Sequence, residues 1–300
     1  MGQLDKQQIA SVFKNIQDHI CSELEKADGL GRFQEDRWER PGGGGGRSRV
    51  IRHGNIIEKG GVNFSEVHGK TPEKILNSFG LTEGHFFASG VSIVIHPENP
   101  WVPIIHMNIR YFEMSNGTYW FGGGIDLTPH YVENEDAKWF HNRLKAVCDK
   151  HDEHYYMEFK HWADDYFYIK HRKETRGIGG IFFDHKSEDD THSKEDIFAF
   201  VKDVGLAFAP IYLHFMKKNS IKTYGDREKE WQSIRRGRYV EFNLVLDRGT
   251  KFGLETDGRT ESILMSLPPM AGWEYDYEPP SGSKEAKTLQ LLKKNIDWLG

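Results

Sequence analysis

The chain has 300 residues, 37% of them hydrophobic and 28% charged, which indicates a globular protein and excludes a disordered chain. Its formal net charge is −5 with no long block of one sign, so nothing favours a nucleic-acid partner or an anionic membrane surface. With only two cysteines, Cys21 and Cys148, a thiolate metal site and a disulfide framework are excluded. We expect a cytoplasmic protein, because the first residues carry no secretory signal and no apolar stretch is long enough to cross a bilayer.

The chain opens on a predicted amphipathic helix, in which apolar residues recur at helical spacing from Leu4 to Leu24. Five glycines then follow at 42–46, between arginines, as a short low-complexity patch. Residues 50–64 and 88–96 are rich in Val, Ile and Phe and are bounded by glycine, which predicts strands.

The stretch 104–112 alternates between apolar and polar side chains with the two-residue period of a strand. If this strand pairs with the predicted strand before it, a polar stripe crosses one face of a sheet. Five polar side chains fall on that face: Ser92, His96, His106, Asn108 and Arg110. A solvated outer face would give a similar alternation. Because Asn and Arg are not favoured strand formers, we interpret the stripe as a binding or catalytic face.

Residues 120–129 place one carboxylate, Asp126, shortly after three consecutive glycines and among aromatic residues. Glycine lets a backbone approach a flat or bulky ligand closely, so Asp126 could meet such a ligand with little water between them. The alternative is a glycine-rich β-turn in which Asp126 is a turn former.

The second half of the chain is mostly helical. Periodicity predicts helices over 135–150, 154–171, 194–217, 226–236 and 284–298. Residues 239–246 alternate as a strand, and turn residues at 247–250 with a return over 251–255 predict a hairpin. Strands grouped early, helices in the middle and a late hairpin indicate an α+β fold, in a single domain over residues 1–300.

Several familiar catalytic motifs are absent, among them the Walker, His-Glu-x-x-His and Gly-x-Ser-x-Gly patterns. What remains is a set of arginines in or near glycine-rich or strand segments: Arg47, Arg49, Arg110 and Arg259. A guanidinium group binds carboxylates through its planar fork, so the set favours a ligand with several carboxylates and a large apolar body. For any single arginine, the alternative is a solvated surface charge.

The 15 histidines raise a metal-binding alternative. Four of them are candidates to complete one ligand shell: His96, His106, His141 and His171. Imidazole suits Zn, Cu, Fe and Ni, but these positions are far apart and have no short ligand spacing. A proton donor or acceptor is at least as natural a role for His106.

Nine segments are unusual enough to carry a family resemblance: 62–69, 90–97, 106–112, 120–129, 164–167, 171–172, 176–180, 238–244 and 258–269. They are similar to the oxygen-dependent coproporphyrinogen III oxidase family, and the resemblance extends over nearly the whole chain. The resemblance implies a large antiparallel β-sheet flanked by α-helices on both faces, in a homodimer with its interface around 239–274.

The resemblance also implies a reaction of porphyrin and haem biosynthesis. Two propionate groups of coproporphyrinogen III are oxidatively decarboxylated to vinyl groups, giving protoporphyrinogen IX with release of CO2 and H2O2. O2 is the co-substrate and there is no flavin, haem or nicotinamide cofactor. A non-catalytic tetrapyrrole carrier and a metal-dependent oxygenase or hydrolase are the alternatives.

Individual roles follow from the same resemblance. Asp126 matches the family's key Asp, which reaches the pyrrole N–H groups; Arg110 matches a residue that holds the reacting propionate, and His106 a proton donor. Substrate contacts are implied at Ser92, Asn108, Ile109, Arg110, Asp257, Gly258 and Arg259, with Asp257 standing where the family usually has Gly. The candidate ligands of a divalent metal are His96, His106, His141 and His171.

Overall fold

An antiparallel sheet of seven strands forms the centre of the molecule. The computed structural model describes residues 4–78, 80, 82–255 and 258–300, so Asp257 lies outside the described residues. The strands lie side by side in chain order. Their bounds are β1 Gln34–Glu39, β2 Gly44–Arg52, β3 Ile57–Lys70, β4 His85–Pro97, β5 Ile104–Met114, β6 Tyr119–Thr128 and β9 Gly180–Lys186. Two short strands, β7 Tyr168–Ile169 and β8 Glu174–Thr175, pair separately.

Helices pack on both faces of this sheet, so the predicted α+β class is confirmed. They are α1 Lys6–Asp28, α2 Glu73–Ser78, α3 Asn134–Cys148, α4 Tyr155–Tyr166, α5 Lys194–Asn219, α6 Asp226–Glu241, α7 Arg248–Glu255, α8 Thr260–Leu264 and α9 Lys284–Leu291. A π-helical turn, Phe242–Leu246, continues α6. The predicted opening helix is confirmed as α1, and the capping box of Asp5 with Gln8 fixes where it begins.

The predicted hairpin over 239–255 is wrong. Residues 239–241 end α6, the π turn follows, and 251–255 belong to α7. Tyr239 and Phe242 are both buried. Residues three apart lie on one side of a helix, so a short run of apolar residues in this segment suits a helix as well as a strand. Three helix ends also differ, because α4 stops at Tyr166, α6 continues to Glu241 and α9 stops at Leu291.

One face of the sheet is apolar and forms the main core with α1 and α5. The predicted alternation of β5 is confirmed there, since Ile105, Met107 and Ile109 are fully buried on this side. α5 is long and apolar enough to span a membrane, so the expectation that no stretch has that length is wrong. Its apolar side chains instead fill the space between α1 and the sheet.

The other face is only partly covered. Residues 260–267, from α8 onward, lie across β3 and β4: the side chain of Met265 sits against Gly61, and the Lys59 Nζ donates to the Leu267 carbonyl at 2.6 Å. α4 packs beside β9 at the opposite edge. Between these two covers, the middle of the sheet stays accessible.

Asp28 fixes the end of α1 to the sheet. Its carboxylate, 2% exposed, accepts hydrogen bonds from the backbone N–H groups of Gly31, Asn55, Ile56 and Ile57 at 2.6–2.9 Å. Burial by itself would raise the pKa of Asp28, but these N–H donors outweigh it and hold the pKa below its usual value.

We expect Asp28→Asn to lower the free energy of unfolding at pH 7 by about 2–3 kcal/mol, because the charged acceptor of several buried N–H groups is lost. The folded pKa is depressed, so this contribution is present above the unfolded pKa of about 3.9 and is lost as the pH falls through the folded value. Urea unfolding at pH 7 and at a series of pH values below about 3.9 measures both effects. Asp149→Asn, which removes a half-exposed partner of Lys145, is the matched control and should cost under about 0.5 kcal/mol. Equal urea midpoints for Asp28→Asn and wild type would contradict this role.

Candidate functional site

The register of the sheet brings the predicted polar residues together. Asn108 pairs with Ser92 on one side and with Gly124 on the other, and His106 pairs with Asp126. We call the resulting surface the polar face; its members are Asn63, Ser92, His106, Asn108, Arg110 and Asp126. The polar stripe predicted from the alternation of β4 and β5 is therefore confirmed.

The glycine run belongs to strand β6 and not to a turn, so the turn alternative for Asp126 is wrong. Gly122 and Gly124 lie on the polar face, four and two residues before Asp126. A Cβ atom at Gly122 would lie 2.8 Å from Arg110 Nε and 2.6 Å from an Asp184 carboxylate oxygen. The missing side chain thus makes room for the Arg110 guanidinium group against the strand.

Asp126 is buried, and His106 lies above it toward the open part of the polar face. Asp126 is 1% exposed, whereas the His106 side chain is 22% exposed. The His106 Nδ1 lies 2.7 Å from Asp126 Oδ1, so in this conformation the imidazole is the part of the pair that a ligand on the polar face reaches. An ionised Asp126 accepts a hydrogen bond from the Nδ1–H and leaves Nε2 as the reactive nitrogen.

Arg176 is the second partner of Asp126, and the sequence analysis assigned this residue no role. Its Nη2 donates to both carboxylate oxygens of Asp126 at 2.8 Å. Burial alone would raise the pKa of Asp126, but Arg176 and then His106 outweigh it and hold the pKa below its usual value. Burial likewise opposes the charge of Arg176, and Asp126 outweighs it, so the pKa of Arg176 is raised. The site therefore holds a buried, ionised carboxylate.

Arg110 lies four residues after His106 on the same face of β5, and its side chain is 37% exposed. Its Nη1 donates to Asn108 Oδ1 at 3.0 Å, and its Nη2 pairs with Asp184 Oδ2 at 2.8 Å. An anionic ligand would compete with Asp184 for the guanidinium group. Ile109, by contrast, points its fully buried side chain into the core on the opposite face, so it does not join the polar face.

Arg259 lies at the far end of the polar face, over β1 and β2. Its Nη1 donates to Ser262 Oγ at 3.1 Å, and its Nη2 pairs with Asp36 on β1. Ser262 in turn meets Ser48 Oγ on β2 at 2.9 Å. Four strand spacings of about 4.8 Å separate β1 from β5, so the arginines at the two ends flank a floor roughly 19 Å wide.

The remaining arginine candidates serve the fold. Arg47 and Arg49 both pair with Asp18 of α1, so they lie on the core side of the sheet. Gly258 donates its N–H to the Gly253 carbonyl at 2.8 Å. The candidate Asp257 lies outside the described residues.

The four candidate metal-binding histidines do not converge. His141 is buried on α3, and both ring nitrogens have partners, Tyr156 Oη at 3.0 Å and the Ile178 carbonyl at 2.9 Å. Burial lowers the pKa of His141 to about 4, which fits a neutral ring in the core. The His171 side chain is exposed, and its Nε2 lies 2.9 Å from Glu241 Oε2.

His96 lies on the same side of the sheet as His106 but is fully buried, and its Nε2 donates to the Ser266 carbonyl at 2.8 Å. In the part of the chain that the structure describes, no three His, Cys, Asp or Glu side chains are grouped to hold a metal ion. The residues present therefore do not fit the metal site that the resemblance implies.

The comparisons with known proteins agree on one family. The family model described as coproporphyrinogen III oxidase matches residues 8–298. A protein of Prochlorococcus marinus (strain MIT 9313) named oxygen-dependent coproporphyrinogen-III oxidase is 50% identical over 307 aligned positions, which cover 94% of this chain and 88% of that relative. A protein of Synechococcus sp. (strain CC9902) with the same name is 49% identical over 314 positions, covering 97% and 86%.

We expect the purified protein, after treatment with a chelator and gel filtration, to contain far less than one metal ion per chain. Added Zn²⁺ or Fe²⁺ should leave its thermal midpoint unchanged, because a metal that binds the folded state would raise it. Elemental analysis and a thermal scan measure these two quantities. One tightly held ion per chain, with a raised midpoint that His141→Gln abolishes, would contradict the geometry.

Proposed function

This chain belongs to the coproporphyrinogen III oxidase family, and on that premise we propose that its polar face binds coproporphyrinogen III and oxidises it. In each of two rounds, a propionate group and one O2 give a vinyl group, CO2 and H2O2. The substrate loses CO2 and two hydrogens, and O2 takes up two electrons and two protons to become H2O2. O2 is the co-substrate, and we propose no organic cofactor.

The observation that carries this proposal is the Asp126–His106 pair on β5 and β6, on a face that also carries Arg110 on β5 and Arg259 over β1 and β2. A reduced tetrapyrrole has an apolar ring system, N–H donors at its centre and acidic arms around its rim. An ionised carboxylate with its imidazole suits the centre, and guanidinium groups suit the arms. A carrier would need only the outer contacts, whereas a charge held at the centre supports catalysis.

We propose three roles on the polar face. Arg110 holds the reacting propionate, which displaces Asp184 from the guanidinium group. His106 exchanges a proton with the substrate through Nε2, and Asp126 fixes the imidazole and stabilises the positive charge that forms. Because Asp126 is 1% exposed, it acts on the pyrrole N–H groups through His106 unless that ring moves aside.

We also propose that the protein is a homodimer with its interface around 239–274, as its resemblance implies. Large apolar side chains concentrate on this segment and are 43–71% exposed: Leu244, Val245, Leu254, Met270 and Trp273. Such an exposed apolar surface is typical of a protein–protein interface.

The activity is tested by mixing the protein with coproporphyrinogen III without oxygen and then adding O2. We expect about two O2 consumed and two CO2 released for each protoporphyrinogen, a ratio set by the balanced reaction. Tight binding of the substrate without O2 consumption would instead support a carrier, and would overturn the proposal.

Asp126→Asn should leave the fold intact and lower turnover by ~10²-fold or more, because a positioned acid–base pair is lost. Steady-state turnover, with circular dichroism as the check on folding, measures the effect. Asp164→Asn is the matched control, since Asp164 is also a buried carboxylate paired with a cation, Lys160, but lies off the polar face. Near-normal turnover in Asp126→Asn would remove the role assigned to Asp126.

Leu244→Asp combined with Val245→Asp should convert a dimer to a monomer, because two charges are placed in an apolar contact. Light scattering with gel filtration measures the mass. Ile221→Asp is the control, because Ile221 is 82% exposed outside the segment and should not change the mass. A wild-type protein that is monomeric at micromolar concentration would contradict the proposed dimer.

A further inference from the structure

Arg176, in the turn between β8 and β9, is a buried charged residue to which the proposed function assigns no role. It is 3% exposed, and its guanidinium group lies among three aromatic rings, those of Phe167, Tyr239 and Phe242, at 4.4–4.8 Å from their centroids. Its Nη2 holds both oxygens of Asp126, and its Nε has no hydrogen-bond partner among the described residues.

Stability alone is a weak reason to keep such a group. Taking a guanidinium and a carboxylate out of water costs several kcal/mol, and apolar residues of similar volume often replace buried ion pairs without loss of stability. The Arg176–Asp126 pair, moreover, lies directly beneath His106. Its position therefore points to the chemistry of the polar face.

The contacts of Asp126 show what Arg176 supplies. Oδ1 accepts from both His106 and Arg176, and Oδ2 accepts from Arg176. With both oxygens engaged, the carboxylate cannot rotate away from the imidazole. The positive charge beneath it also opposes protonation of Asp126, so His106 keeps an anionic partner.

A second residue, Asn243, fixes the position of the Arg176 side chain. Asn243 is buried in the π turn after α6, and its Oδ1 accepts from Arg176 Nη1 at 2.9 Å. The next two residues, Leu244 and Val245, are 43% and 50% exposed on the segment proposed as the dimer interface. π turns inside helices are frequent at functional sites. Asn243 thus links the outer segment to the catalytic carboxylate through one side chain.

We propose that Arg176 is a positioning residue that keeps Asp126 ionised and fixed beneath His106, and that Asn243 holds Arg176 in place from the segment 239–274. This inference rests on the proposed function. Arg176 touches no substrate in this arrangement, and it acts through Asp126.

The charged and titratable groups around Asp126 come from several elements. His106 faces it from β5, Arg176 from the β8–β9 turn and Tyr239 from α6, while Asp247 after the π turn also acts on Arg176. Removal of the guanidinium charge leaves Asp126 without a cationic partner except a protonated His106.

The test is the pH profile of turnover in Arg176→Gln, Arg176→Lys and Asn243→Ala. In Arg176→Gln we expect the acid limb to move to higher pH by about one unit or more, since an opposite charge at this distance shifts a pKa by about 1–3 units. Turnover at pH 7 should fall ~10-fold or more with a smaller change in KM. Arg176→Lys keeps the charge, so its acid limb should stay near that of wild type with part of the turnover restored. Asn243→Ala should resemble a weaker Arg176→Gln.

Arg236→Gln is the matched control, because Arg236 is also a buried arginine, held by Glu58 and the Pro97 carbonyl and away from Asp126. It should cost stability without moving the acid limb. An unchanged acid limb and turnover in folded Arg176→Gln overturns the inference; if that variant does not fold, an unchanged acid limb and turnover in Asn243→Ala overturns it. A wild-type protein that never oxidises coproporphyrinogen III removes the proposed function instead, so the two failures are distinct.

Discussion

The site depends on one buried ion pair, Asp126 with Arg176. Either charge left alone in the core costs stability, because removal of one partner from such a pair leaves an uncompensated charge. Together they hold an anion 2.7 Å from His106, next to a surface that a ligand can reach. Most other features of the molecule surround this pair, either by excluding water from it or by leaving His106 accessible above it.

The sheet holds this buried pair beside a surface that a ligand can reach because its two faces differ. Buried side chains of β4, β5 and β6 hold one face against α1 and α5, which makes the strands a rigid platform. On the other face, glycines and short polar side chains leave space where long ones would fill it. α6, the π turn and α8 then close part of that space, and α6 with the π turn supplies two of the three aromatic rings around Arg176.

The sequence predicted what depends on neighbours along the chain. The two-residue period of β5 placed His106, Asn108 and Arg110 on one side, and pairing with β4 and β6 completed the polar face. Contacts across long separations were not predictable: Arg176 meets Asp126 fifty residues away, and no spacing marks it. The hairpin prediction failed because short alternating runs suit helices as well. The fold places His141 and His171 apart from His96, and the sequence spacing of these residues could not show this. The single domain and the cytoplasmic location stay predictions.

The most direct measurement is the protonation state of Asp126 in the folded, ligand-free protein. Isotope-edited infrared difference spectra of wild type against Asp126→Asn isolate the signal of this carboxyl group. The account predicts a carboxylate band at neutral pH that persists on acidification to about pH 4, near the ordinary pKa of Asp. A carboxylic acid C=O band at neutral pH would contradict it, because Asp126 would then be a neutral donor and not the anionic partner of His106.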